Sequence, residues 1–247
     1  MEVLFRRNAV LEALRSERRE VKCLWVQKGL PRKEISPILQ AARQRNVAVN
    51  ETSKQKVGQL AGDRSHQGVA LEVEPYPYAD LDEILAHAKR SGEPPFVLLL
   101  DQVQGPQNVG QLIRSAEICG VHGVIMQERR APDITPHIVA AAVGATEHIL
   151  IAKVTNLNNA IETLKQNGVW IVGLDIDETA QTFGNVDLNM PIGIIVGYEG
   201  SGMRSRVKDN CDILLRLPMR GHVESLNAAV SGSIVLYAAW QARGFNV

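Results

Sequence analysis

From residue 95 onward, short unbroken apolar runs alternate with stretches whose apolar residues recur at helical spacing. The runs are FVLLL (96–100), GVIM (123–126), VWIVG (169–173), GIIVG (193–197) and ILLRL (213–217). Continuous apolar runs of this length predict strands buried on both faces. Helices are predicted between and after them, over 108–119, 135–143, 157–165, 202–209 and 225–241. Strand and helix in alternation predict an α/β fold with a parallel sheet covered on both sides. In such sheets ligands bind beyond the carboxyl ends of the strands. The residues just after each run are therefore the ones to inspect for chemistry.

The first 73 residues follow a shorter rhythm. NAVLEALRS predicts a helix with Asn8 as its cap and Val10, Leu11 and Leu14 on one side. CLWV (23–26) predicts a strand. Residues 31–45 read as a helix around an interior Pro37, with Ile38, Leu39 and Ala42 on one face. VAV (47–49), a helix near 55–61 and GVALEV (68–73) complete a small α/β module. EPYPYAD (74–80) holds two prolines, which fix φ and remove backbone donors, so it reads as an extended linker. The expected organisation is a module at 1–73, a linker and leading helix at 74–94, and a larger domain at 95–247.

Charge sharpens this division. The chain is neutral overall, with 27 Lys/Arg and 27 Asp/Glu, but residues 1–73 carry 14 Lys/Arg against 8 Asp/Glu. A balance of +6 in the first module is what a polyanion-binding surface needs, and on charge alone equally what a solvated basic surface shows. Apolar residues make up 45%, and no run approaches the roughly 18 residues of a membrane span. The N-terminus, with Glu2 and Glu12, lacks the features of a signal peptide. Cys23, Cys119 and Cys211 are odd in number and far apart, the usage of reduced thiols in a cytoplasmic protein. None of the six histidines forms a metal-ligand pair at helical spacing, so no metal site is expected.

Three segments after strands carry the candidate chemistry. LDQVQGPQNVGQLIRSAEICG (100–120) holds Asn108 and Arg114. Six residues apart, these two share no face of one helix. They converge only if Asn108 lies in the preceding loop; otherwise Asn108 is a cap or turn residue and Arg114 a solvated one. IIVGYEGSGM (194–203) sets Glu199 among glycines that allow close backbone approach to a ligand. It contains neither G-x-G-x-x-G nor a P-loop, which argues against a dinucleotide-dependent oxidoreductase. LPMRGHVESLNAAVSGSIVLYAAW (217–240) turns at Pro218 and Gly221 and then begins the terminal helix, with Ser225 read as its N-cap.

In this order and at these separations, NVGQLIRSA, VGYEGSGM and LPMRGHVESLNAAVSG resemble the three signature motifs of the SpoU-type (TrmH family, SPOUT class) RNA 2′-O-ribose methyltransferases. RNAVLEAL and HQGVAL (66–71) resemble the small ribosomal-protein-like RNA-binding domain found in one branch, whose members methylate a guanosine ribose in large-subunit (23S) rRNA. The resemblance implies an α/β domain with a C-terminal trefoil knot, a homodimer, an rRNA substrate and S-adenosyl-L-methionine as cofactor. It implies that the backbone at Gly197, Leu217, Met219 and Leu226 lines the cofactor pocket. Arg114 would contact the target phosphate and assist deprotonation, with Asn108, Glu199, Ser225 and Asn227 orienting it, the ribose and the cofactor. Two positions depart from the family pattern: Gly105-Pro106 stands where Asp-Pro is usual, and Ala228-Ala229 follows Leu226-Asn227 where Val-Ser is usual. The competing readings are a tRNA ribose methyltransferase and a non-catalytic RNA-binding ribosome-assembly protein on the same fold.

Overall fold

A computed structural model describes all residues except Arg64, Asn246 and Val247. The chain folds as two compact units, one formed by residues 1–77 with 133–148, the other by 78–132 with 149–247.

The first unit opens with β1 (Glu2–Phe5), α1 (Arg7–Ser16), β2 (Val21–Gln27), α2 (Arg32–Gln44), β3 (Ala48–Thr52), α3 (Lys54–Ala61) and β4 (Val69–Val73). Its sheet runs β1-β4-β2-β3; β4 is antiparallel to both neighbours, and β2 and β3 are parallel. The N-terminal EVLF strand was not expected from the sequence. It pairs β4 and buries Leu4 and Phe5. Asn8 does not cap α1: the helix already includes Arg7, and Asn8 is exposed in its first turn. Arg6, at φ 69°, occupies the cap position without a side-chain hydrogen bond. α2 continues through Pro37, burying Ile35, Ile38, Ala41 and Ala42.

The second unit begins with α4 (Leu81–Ser91), closed at its N-terminus by a capping box between Asp80 and Glu83. β5 (Phe96–Asp101), α5 (Pro106–Ile118) and β6 (Gly123–Gln127) follow. The chain then supplies α6 (Pro136–Ala141) and a 3₁₀ turn (Ala145–Glu147) to the first unit. There the Nε of Arg19, fully buried, donates to Glu147 at 3.1 Å, and Tyr76 Oη donates to the Thr146 carbonyl at 3.0 Å. An ion pair this dry becomes costly if one partner is removed, by about 3–5 kcal/mol.

The second unit resumes with β7 (Leu150–Val154), α7 (Leu157–Gln166), β8 (Trp170–Leu174), β9 (Gln181–Thr182), β10 (Ile192–Gly197), α8 (Ser205–Lys208), β11 (Ile213–Arg216) and α9 (Ala228–Ala242). The seven strands form one sheet in the order β7-β6-β5-β10-β8-β11-β9, and every recorded pairing is parallel. The five expected strands occupy its centre. The two unexpected ones, β7 and β9, are its edges, where burial is partial and the apolar signal weak. The helix expected over 202–209 shrinks to one turn, because Gly202 adopts φ 70° and Arg204 is extended. α9 starts at Ala228, three residues later than expected. It packs against α5 and β10 through Gly232, where a Cβ would lie 2.5 Å from Leu112 Cδ2 and 2.9 Å from Val196 Cγ2.

Candidate active site

Three adjacent strands, β10, β8 and β11, end on one cleft of about 220 Å3. Leu174 ends β8, with Asp175 and Ile176 after it; Gly197 ends β10 and opens the turn 197–202; Leu217 and Met219 follow β11. The cleft therefore sits beyond the carboxyl ends of the strands, where a parallel sheet leaves its helices apart. Gly197, Glu199, Leu217, Met219, Ser225 and Leu226, all singled out from the sequence, line it together.

The glycines of the turn have specific reasons. Tyr198 and Gly202 exchange two backbone hydrogen bonds, of 3.1 and 3.0 Å, which folds the segment back on the end of β10. A Cβ on Gly197 would meet the Gly202 carbonyl carbon and the Met203 nitrogen at 2.4 Å, so only glycine fits. The far end of the turn is held by Asp101, which is fully buried at the end of β5. Asp101 accepts from the Arg204 backbone N–H and from its Nε, both at 2.8 Å. Sequence reasoning passed over Asp101, although a carboxylate closing an apolar run (FVLLLD) is a visible signal. It also passed over Ser231, although that residue stands inside the third motif segment, and over Asp175 and Ile176, which line the cleft without belonging to any recognised pattern.

A chain of side-chain hydrogen bonds joins the three motif segments. Asn108 Nδ2 donates to Glu199 Oε1 at 2.6 Å. Asn227 Nδ2 donates to Asn108 Oδ1 at 3.1 Å. Asn227 Oδ1 accepts from the N–H groups of Ala229 and Val230 at 2.9 and 3.2 Å, capping α9. The direction is set at both ends: the helix N-terminus offers only donors and the carboxylate only acceptors. Asn227, not Ser225, is thus the N-cap; Ser225 is exposed on the cleft wall. Asn108 lies in the first turn of α5 and not in the loop before it. Gly105 has a role here too. A Cβ at that position would sit 3.2 Å from Glu199 Oε1, and the aspartate usual in the family would bring a second negative charge toward the same carboxylate.

Arg114 is not part of this chain. It is exposed on α5 and has no hydrogen bond or ion pair among the described residues. It lines a separate broad groove of about 780 Å3, with Gln111, Phe183, Val230, Ile234 and Tyr237. Asn108 and Arg114 do not converge within one chain. Among the described residues no group of three His, Cys, Asp or Glu is placed to hold a metal ion, and no helix is long and apolar enough to cross a membrane.

Comparison with known proteins agrees with this arrangement. Residues 95–237 match the SpoU rRNA Methylase family, and residues 4–79 match the RNA 2′-O ribose methyltransferase substrate-binding family. YacO of Bacillus subtilis (strain 168), which carries the designation of TrmH family tRNA/rRNA methyltransferase, is 37% identical over 237 residues, covering 96% of this chain and 94% of its own. A Staphylococcus saprophyticus protein of the same designation is 40% identical, covering 98% and 96%. Among solved structures, the SpoU methyltransferase AviRb from Streptomyces viridochromogenes, in complex with AdoMet, superposes with a TM-score of 0.80 at 22% identity, over 99% of this chain and 91% of that one. The A. aeolicus TrmH/SpoU tRNA modifying enzyme superposes with a TM-score of 0.55 at 24% identity, over 67% of this chain and 85% of its own.

Proposed function

Since the chain belongs to the SpoU rRNA methylase family, we propose that it moves a methyl group from S-adenosylmethionine to a ribose 2′-hydroxyl of RNA, with a guanosine of 23S rRNA as the target. The observation that carries the reading is the hydrogen-bonded chain Glu199–Asn108–Asn227 beside an apolar cleft at the strand ends. The cleft fits the cofactor chemically. Leu217, Met219 and Leu226 offer apolar walls for a flat base, the open backbone after Gly197 offers amide groups, and Glu199 and Ser225 supply polar ends. When bound, the cofactor supplies an electrophilic methyl group on a sulfonium.

The remaining work falls to the chain's own residues. Glu199, Asn108, Asn227 and Ser225 orient the ribose and the amino-acid end of the cofactor. Arg114 holds the target phosphate and stabilises negative charge as it grows on the attacking oxygen. A guanidinium, which does not give up its proton in proteins, serves this role better than that of a base. The isolation of Arg114 within one chain accords with a homodimer. A second copy seated on the face of α9 would cover Val230, Ile234 and Tyr237, which are 45%, 39% and 51% exposed. The preference for rRNA over tRNA rests on architecture: the tRNA modifying enzyme aligns with only 67% of this chain, whereas an rRNA methyltransferase from Sinorhizobium meliloti aligns with 97%.

Ribose methylation mapped by mass spectrometry in cells with and without the protein tests the reading. One guanosine of 23S rRNA should lose its 2′-O-methyl. Loss on a tRNA would overturn the target, and no loss anywhere the activity. Calorimetry tests the cleft. Ser231→Trp should abolish S-adenosylmethionine binding while the protein stays folded; Gly197 is unsuitable for this purpose, since any side chain there collides with the turn itself.

A further inference from the structure

We propose that the groove along α3 in the first unit binds an unpaired nucleotide of the RNA substrate, with the buried His66 as its hydrogen-bond donor. This site lies outside the cleft, and it rests on the reading of the chain as an enzyme acting on RNA. The groove, of about 740 Å3, is lined by Lys54, Gln55, Gly58, Gln59, Asp63 and His66.

His66 is only 4% exposed, yet it lines this groove. Its Nδ1 accepts from the Gly68 N–H at 2.9 Å. A ring nitrogen that accepts carries no proton, so in the neutral imidazole the proton is on Nε2. Burial pulls the pKa below its ordinary value, and the charge of Lys54 adds to this, so the ring is neutral at pH 7. Among the described residues, Nε2 has no hydrogen-bond partner. The ring is nearly buried as a whole, but its Nε2 edge opens on the groove, so a fixed neutral donor faces whatever enters it.

The surroundings hold the ring still and keep its edge open. Gln67 is pinned to the start of α1: the Arg7 backbone N–H donates to Gln67 Oε1 at 3.0 Å, and Arg7 Nε donates to the Gln67 carbonyl at 3.1 Å. Gly68, at φ 81°, is packed so tightly that a Cβ would lie 2.5 Å from Leu30 Cδ1. Gly58 faces the ring from α3, and a Cβ there would rest 3.6 Å from both Nε2 and Cδ2. Glycine opposes helix formation, but here its bare backbone leaves the Nε2 edge uncovered.

The chemistry of the rim selects the ligand. Gln55 and Gln59, four apart on α3, share one side of it and offer both donors and acceptors. A nucleotide presents the complementary groups, with a carbonyl or ring nitrogen on its base edge for Nε2–H and a backbone phosphate for Lys54. In a duplex the pairing edge is already used, which favours an unpaired nucleotide. Asp63 does not oppose an anion strongly: Ser65 N–H and Oγ both donate to its carboxylate, at 2.5 and 2.6 Å. The +6 balance of residues 1–73 favours RNA over an acidic surface of another protein.

The test uses the full chain labelled with ¹⁵N, and two probes: a mixed-sequence single-stranded RNA of about a dozen nucleotides, and its duplex. Titration with the single strand should shift His66 Nε2 and the Gly58 and Gln59 amides; the duplex should not. His66→Asn keeps an acceptor for the Gly68 N–H, but its shorter amide places no donor where Nε2 stands, and it should weaken single-strand binding about tenfold. Gly58→Ala lays a methyl over Nε2 in ordinary contact; it should weaken binding similarly while raising the thermal midpoint. Unchanged affinity in both folded variants, or equal binding of strand and duplex with no shift at His66, overturns the site. Methyl transfer by the wild type to deproteinised RNA is measured alongside. Its absence would sink the enzymatic reading, whereas its presence with unaffected variants would sink this site alone.

Discussion

The two sides of α9 differ sharply. On the cleft side the polar side chains satisfy one another: Asn227 caps the helix and donates to Asn108, which donates to Glu199. On the other side Arg114 has no partner among the described residues and lies next to the open apolar surface of Val230, Ile234 and Tyr237. The first side is organised before any ligand arrives. On the second, the same kind of mutual satisfaction is absent among the described residues. Such a division suits an enzyme that holds a small cofactor in a preformed cleft and meets a large substrate, or a second copy of itself, on an exposed face.

The largest expected effect breaks this comparison directly. Arg114→Ala should lower single-turnover methyl transfer to saturating RNA by roughly a hundredfold or more, the scale of one lost preorganised donor. Thermal stability should change by no more than about 0.5 kcal/mol, because the residue is exposed and has no partner among the described residues. Arg114→Lys should recover little, since a point charge cannot reproduce the planar fork. A folded Arg114→Ala protein with wild-type turnover would remove this residue from the mechanism and leave Glu199 as the next candidate.

A smaller effect separates structure from chemistry on the cleft side. Asn227→Ala removes the α9 cap and should cost about 1 kcal/mol in stability. It also frees Asn108, and turnover should fall about tenfold, as for the loss of one orienting hydrogen bond. Asn227→Asp restores a cap but presents a second acceptor to Asn108 Oδ1. Chemical denaturation should then show stability recovered while turnover stays low. Recovery of both would mean that the link between Asn227 and Asn108 is only structural.

The smallest effect is read at the opposite end of the sheet, where neither side of α9 is involved. His122 is buried, and its Nδ1 accepts from the Phe96 N–H at 3.0 Å while Nε2 lies 3.0 Å from Ser91 Oγ. Burial depresses its pKa below the ordinary value. As pH falls below about 6.5, the unfolded chain takes up the proton first. Stability therefore declines with falling pH, and the decline ends once pH passes below the folded pKa. Denaturant titrations of His122→Gln at several pH values should show a flatter profile with methyl transfer unaltered. An unchanged slope would assign the acid sensitivity to other groups.

Particular elements show why some of the structure was legible in advance. FVLLL, GVIM and GIIVG announced strands because each is buried on both faces, and burial on both faces leaves no polar position to blur the pattern. EVLF and LIAKV did not, because β1 and β7 lie at sheet edges and their half-buried residues read as loop. The cleft residues Gly197, Leu217, Met219 and Leu226 came from motif resemblance, and the fold brings them to one place. Ser225 was misassigned as the cap because Ser and Asn are both good caps, and only the backbone conformation at Asn227 decides between them.

The sequence by itself determined the local properties: which runs are apolar, where glycine permits a turn, which chemical groups are present, and that the first 73 residues are basic. These depend on residues close together along the chain, where periodicity and composition carry the information. Only the tertiary structure decided the pairings. Asn108 and Glu199 are 91 residues apart, Asn108 and Asn227 are 119 apart, and Arg19 and Glu147 are 128 apart. Such partners meet because β10 enters the sheet between β5 and β8, and because 133–148 folds with the first unit. Strand order and long-range burial arise from the packing of the whole chain, and no local pattern encodes them. For the same reason, the sequence could offer Arg114 and Asn108 as members of one motif, while the structure places them on different sides of one helix pair.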